Sequence, residues 1–210
     1  MIRIASSDQS ISEVSRVRSK PLENKNIFSN VLSHPPTLSS SKSMSMTTSE
    51  RDLVKLCQEK LNDNNITYQE TLDIIDQSLK KFPKSIELLL LKADTAYQAG
   101  AEEPPQSSAD DPKKIYQEAL AIDKNNPLAN KAIAQYIDNL EGDTKTALTH
   151  YKVAAKAIGV DDVMFFTDYA AALEKTNEKG DGIKMLKSIQ DSTKDVGLKN
   201  KYEKAITHLQ

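Results

Sequence analysis

Three histidines, one cysteine and six glycines are the residues of this 210-residue chain around which a reactive or ligand-holding centre would be built. His34, His150 and His208 are far apart, and none keeps metal-ligand spacing with another histidine, a cysteine or a carboxylate. A phosphate cradle needs clustered glycines. Here Gly100, Gly142, Gly159 and Gly197 stand singly, and Gly180 and Gly182 form one turn. No nucleophile elbow and no paired His-Glu motif occurs. Cys57 has no second thiol for an internal disulfide, and one thiol is no metal site. It falls among apolar residues of a helix-forming segment, where a small buried thiol is expected to be inert. The expectation is a protein with no catalytic residue, no metal and no cofactor.

With no local chemistry to position, the elements themselves become the subject. Hydrophobic residues make up 38% of the chain and charged residues 28%, which suits a surface-rich soluble protein. Tryptophan is absent and aromatics are 5%, too few for a platform on which nucleic-acid bases stack. The net charge of −2 conceals two halves of opposite sign. Residues 1–49 hold six Lys/Arg and three Asp/Glu, leaving 22 and 27 for the rest. A body at −5 is a poor match to a phosphate backbone, so no nucleic-acid partner is expected. Leu88–Leu91 is an apolar run of a single helical turn, and nothing approaches the roughly 18 apolar residues of a membrane span. No integral membrane segment is expected.

Residues 1–49 contain fourteen serines and the turn-like Ser33-His34-Pro35-Pro36-Thr37. Such a segment buries too little apolar surface to offset its ordering entropy, so a disordered tail is expected. Its Ser-rich content, with Arg3, Arg16 and Arg18, also resembles a transit peptide, although Asp8 and Glu13 sit where acids are usually avoided. That reading would place the protein in a mitochondrion or plastid; otherwise it is cytoplasmic. Met44 or Met46 would serve equally as a start, immediately before the folded pattern.

From residue 50 apolar residues recur at helical spacing, and the pattern repeats. Ala147, Tyr151 and Ala154 place a small residue, a large aromatic four later and a small residue three after that. Small residues let two antiparallel helices approach, and the aromatic fills the groove between them. The spacing resembles the second helix of a tetratricopeptide repeat (TPR). The run from Tyr116 through Ala119, Asp123 and Pro127 to Ala129 resembles the junction of two such repeats. Lys124 stands where that family usually has proline. Pro127 instead takes the first position of the next helix, whose N–H would be unpaired anyway.

Four units follow. Residues 50–85 carry Leu53, Leu56 and Cys57, then Thr71, Ile75 and Ser78. Residues 86–126 carry Leu89, Ala93 and Ala96, then Tyr116 and Ala119. Residues 127–161 carry Ile133, Ala134 and Ile137, then Ala147, Tyr151 and Ala154. Residues 163–196 carry Phe166, Tyr169, Ala170 and Leu173, then Gly182, Leu186 and Ile189. Apolar Leu198, Tyr202, Ala205, Ile206 and Leu209 share one face of a final capping helix in 197–210, which covers the open end of the array. Asn130 and Lys92 depart from the family, each standing where a large apolar residue is usual. Between Gly100 and Asp111 an insertion containing Pro104 and Pro105 lengthens the turn of the second unit. It is read as a tolerated surface loop. The expected fold is an all-α, right-handed α-α superhelix of about four helix-turn-helix units with a capping helix.

The resemblance implies a concave groove, lined by the first helix of each unit, that takes a peptide or an amphipathic helix of a partner protein. Matched position by position, the second unit contributes Leu90, Asp94 and Tyr97. The third contributes Leu128, Lys131, Gln135, Asp138 and Asn139, and the fourth Met164, Thr167, Asp168, Ala171 and Lys175. Some members of the family clamp a chaperone's C-terminal carboxylate with Lys, Asn and Arg. Here Arg51 is the one arginine after residue 50 and only Lys131 matches the clamp, so that activity is not expected. The groove positions mix acids with few bases and some apolar residues, which suits a basic or amphipathic partner segment. A non-catalytic scaffold or adaptor for complex assembly is the leading expectation. An organelle-targeted assembly or import factor is the alternative.

Overall fold

Most of the described helix starts carry a side chain that takes up an orphan backbone N–H, and the helices begin there. A computed structural model describes residues 48–63, 66–101, 111–176 and 180–210. The expected tail up to residue 47, and the insertion from 102 to 110, lie outside them. The described residues form α1 (Thr48–Leu61), α2 (Tyr68–Lys81), α3 (Ile86–Ala101), α4 (Pro112–Ile122) and α5 (Pro127–Tyr136). They continue through α6 (Thr144–Ala154), α7 (Val163–Glu174), α8 (Asp181–Ser192) and α9 (Val196–Leu209).

Thr67 opens α2 with a capping box. Its hydroxyl accepts from the Glu70 N–H, and the Glu70 carboxylate accepts from the Thr67 N–H. Asp111, Asn126, Asp143, Asp162 and Asp195 cap α4, α5, α6, α7 and α9 in the same sense. Pro112 and Pro127 each stand at the start of their helix. One positive-φ residue ends the third first helix: Gly142, at φ 69°, where a side chain would be strained.

Each helix packs on the next, as antiparallel hairpins do, and α1 touches α3, α3 touches α5 and α7 touches α9. The result is the all-α right-handed superhelix of paired helices that the repeat pattern implies. Two cores run through it. A small one joins Val54 and Cys57 of α1, Ile75 of α2 and Leu88 and Leu91 of α3. The larger one begins at Leu89 and Leu90 and extends to Ile206. The four leucines of α3 therefore divide between two cores, which explains a helix that is apolar nearly all round.

The departures from the family pattern have local explanations. Lys92 pairs with Asp76 at 2.9 Å, tying α3 to α2 with its stem largely covered. Asn130, 2% exposed, donates to the carbonyls of Lys124 and Asn126, and its side-chain oxygen meets His150 Nδ1 at 2.9 Å. With both amide protons on carbonyls, that oxygen accepts, so Nδ1 of His150 carries the proton. Asn130 thus joins the turn before α5 to α6 by hydrogen bonds, where an apolar residue would do so by packing. Burial also holds the His150 pKa below its ordinary value. Gly182 is the small residue of α8. A Cβ there would come 2.3 Å from the Ala170 carbonyl oxygen of α7, so only glycine permits this approach of two backbones.

Candidate interaction groove

After Tyr136 the third first helix does not stop but widens into a π turn, Ile137–Glu141, before Gly142 ends it. Such turns accommodate an extra residue and recur at functional positions. This one sets Asp138 on the same side as Lys131 and Gln135. The three reach across to α7 in order along its length. Lys131 pairs with Asp162 at the N-terminus of α7. Gln135 Nε2 donates to Asp168 Oδ2 at 2.7 Å. Asp138 receives Lys175 Nζ at 3.3 Å, beyond the C-terminus of α7, and the Thr144 hydroxyl at 2.6 Å. These three rungs form a polar seam between the first helices of two adjacent hairpins.

Behind it, Tyr116 donates its hydroxyl to Asp94 Oδ1 at 2.7 Å. Asp94 is 2% exposed, and burial pushes its carboxyl up to about 8, against the Tyr116 hydrogen bond and the Lys131 charge, which act to lower it. Burial likewise raises Asp168 to about 6. Gln135 and Lys131 oppose that rise, and Asp138 and Asp162 add to it. Both shifts have desolvation as their first cause, since a carboxylate removed from water favours its neutral form. An aromatic wall stands beneath the seam. Tyr151 stacks on Tyr169 at 5.6 Å and tilts against Phe165 at 5.9 Å.

The thirteen positions expected to line an open groove divide by burial. Asn139, Met164 and Lys175 are exposed, and Tyr97, Leu128, Thr167, Asp168 and Ala171 are partly so. Leu90, Asp94, Lys131, Gln135 and Asp138 are closed to solvent. For these five, the expectation of open lining positions is corrected. Leu90 belongs to the larger core, Asp94 to its tyrosine, and the other three to the seam. Long polar side chains that reach the next helix are covered by it. Sequence reading missed Asp162, Tyr116 and the Tyr151 hydroxyl as members of this cluster. Asp162 carried the one available signal, an N-cap residue 31 positions after Lys131, close to one repeat length.

Among the described residues no helix is long and apolar enough to cross a membrane. No three of their His, Cys, Asp and Glu side chains gather as metal ligands would. The solved structure of the MamA RS-1 ArsTM double mutant superposes on this chain with a TM-score of 0.52. It covers 79% of this chain and 96% of that one at 12% sequence identity. A thermophilic TPR protein of Thermus thermophilus matches at 14% identity over 75% of this chain and 99% of that one, with a TM-score of 0.40. No protein-family model and no curated protein matches the sequence. The helix hairpins and the first of these likenesses together give the chain a tetratricopeptide-type fold.

Proposed function

We propose that the chain is a non-catalytic protein-protein interaction scaffold whose inner face takes a basic or amphipathic segment of a partner protein during complex assembly. The observation that carries this is the make-up of the face along α5 and α7. Asp162 and Asp168 are partly exposed there while Lys131 is buried, so Lys175 is the one exposed base among these seam residues, and the exposed apolar Met164 (42%) lies between the two acids in the chain. Acidic groups with an apolar neighbour match a segment that is cationic on one side and apolar on the other. Cytoplasmic residence belongs to the same proposal, and a reporter fused to residues 1–49 tests it.

The groove itself is tested by crosslinking the full chain to its partners in native cells, then repeating the capture with Ala171→Arg. Ala171 is partly exposed between Thr167 and Lys175, and a long basic side chain there should abolish capture of a basic segment. Ser188→Arg on the exposed side of α8 makes the same charge change and should leave it intact. Equal capture by both variants sinks the groove reading.

A further inference from the structure

Buried polar atoms in folded proteins nearly always find a hydrogen-bond partner, so each exception asks for an explanation. Among the described residues there are two, Gln135 Oε1 and the Tyr151 hydroxyl. Both side chains are fully buried, at 0%; Gln135 belongs to the seam and Tyr151 to the aromatic wall beneath it. Gln135 spends its amide nitrogen on Asp168, so its oxygen, on the same planar group, lies beside that carboxylate. After burial itself, the charges acting on the Tyr151 hydroxyl are those of Asp168 and then Asp138, which together hold its pKa well above the ordinary range. Two carboxylates, one amide oxygen and one hydroxyl thus gather at one place, with the last two unpaired.

The cluster accepts hydrogen bonds and carries negative charge, so it is complementary to a donor-rich cation. Lys175 is the local cation, and it fits loosely. Its Nζ stands 3.3 Å from both oxygens of Asp138, and its side chain is 54% exposed. An ammonium at that distance neutralises charge without filling the acceptors. A guanidinium offers five N–H donors in a planar fork, and it sheds water more readily than an ammonium, which suits a covered site. The geometry points to a subsite between α5, α6 and α7 for the arginine side chain of a partner segment, which enters at the partly exposed Asp168, displaces the exposed Lys175 from Asp138 and, with the lysine moved aside, donates to Asp168, Gln135 Oε1 and Tyr151. This rests on the groove reading proposed above, and it gives that reading a defined chemical preference.

The test titrates the full chain with acetyl-Ala-Ala-Arg-Ala-Ala-amide and with the same peptide carrying citrulline, which keeps the shape and loses the charge. The arginine peptide should bind roughly tenfold or more tightly, the scale of a hydrogen bond to a charged group. Tyr151→Phe removes only the unpaired hydroxyl. It should keep the melting temperature and lose severalfold in affinity at unchanged net charge. Lys175→Met should tighten binding by removing the competing cation, whereas Lys187→Met, an equal charge change on α8 at an exposed position, should leave it as it was.

Equal binding of the arginine and citrulline peptides overturns the subsite. So does an unaltered affinity for Tyr151→Phe, or equal effects of the two lysine substitutions. A crystal structure in which a water bridges Gln135 Oε1 and the Tyr151 hydroxyl, and stays there with the peptide present, also overturns it. Partner capture abolished by Ala171→Arg but untouched by Tyr151→Phe leaves the groove standing and removes only the arginine subsite.

Discussion

The first hairpin and the third solve the same packing problem with different residues. In the third, Ala147, Tyr151 and Ala154 of α6 are all fully buried, and Tyr151 lies against Phe165 and Tyr169 of the next unit. In the first, the corresponding residues of α2 are Thr71, Ile75 and Ser78, at 1%, 0% and 3% exposure. Here the two small positions are hydroxyls. Each satisfies itself on its own helix or its cap, Thr71 on the Thr67 carbonyl and Ser78 on the Ile74 carbonyl. The large position is aliphatic, and its core holds leucines of the next unit where Tyr151 meets aromatic rings. What the repeat geometry requires is a volume and a close approach; the residue that supplies them decides how strongly one unit grips the next. In a solenoid whose stability is a sum of unit and interface contributions, the two hairpins should therefore fail in different ways.

The largest effect is expected from Tyr151→Ala, which opens a cavity where two units meet and should cost about 4 kcal/mol. Its urea transition should move for α5 through α8 together. A loss confined to α6 in hydrogen exchange would break the comparison. Next comes Ile75→Ala, at about 3 kcal/mol, with a local consequence. Cys57, 0% exposed and 3.9 Å from the Ser78 hydroxyl, shares the small core with Ile75. Burial raises its thiol pKa, so labelling of this one cysteine reports opening of the first hairpin. Ile75→Ala should accelerate labelling strongly and Tyr151→Ala much less; equal acceleration would show one cooperative unit.

Asp94, at the junction of the two regions, gives a pH-dependent effect. Folded, it keeps its proton up to about 8; unfolded, it releases it near about 4. Between those values the native state holds the extra proton, so this group's contribution to stability falls as pH rises and levels off above about 8. Asp94→Asn keeps an acceptor for the Tyr116 hydroxyl and removes the ionisation. It should stabilise by about 2 kcal/mol at about pH 9 and change little at about pH 4, on the ordinary scale of buried-carboxylate shifts. A constant melting-temperature difference across that range would contradict the assignment. Asp168, raised to about 6, adds a slope of the same sign between about pH 4 and that value. Smallest are the caps. Thr67→Ala in the first hairpin and Asp143→Ala in the third should each cost about 1 kcal/mol in thermal denaturation, a near-equality because both caps are exposed and local.

These contrasts show which features the residues disclose before any coordinates exist. The third hairpin is readable because Ala147, Tyr151 and Ala154 state their spacing outright, and Pro127 marks the start of α5 by what its ring forbids. The fold follows from repetition of that pattern. The seam is not readable in the same way. Its partners are separated by 31, 33 and 37 residues, and a polar residue that faces solvent has the same sequence signature as one that crosses to the next helix. Burial of Lys131 and Gln135 depends on what stands opposite, which no single helix encodes. The π turn that carries Asp138 leaves no compositional trace either. Asn130 and Lys92, departures from the pattern on paper, are alternative fastenings in the fold.

The final helix has a consequence for growth of the array. Tyr202 is fully buried and donates its hydroxyl to the Val160 carbonyl at 2.7 Å, reaching back past α8 to the turn before α7. A stacked array elongates by presenting to each new hairpin the same surface that received the last one. Here that landing place is taken by α9, whose outer side carries Lys199, Lys201, Glu203 and Lys204 in contact with water. Another copy approaching along the axis of the array would meet a charged, hydrated lid at α9. At this end, then, the core surface of α7 and α8 is already covered by a helix of the same chain.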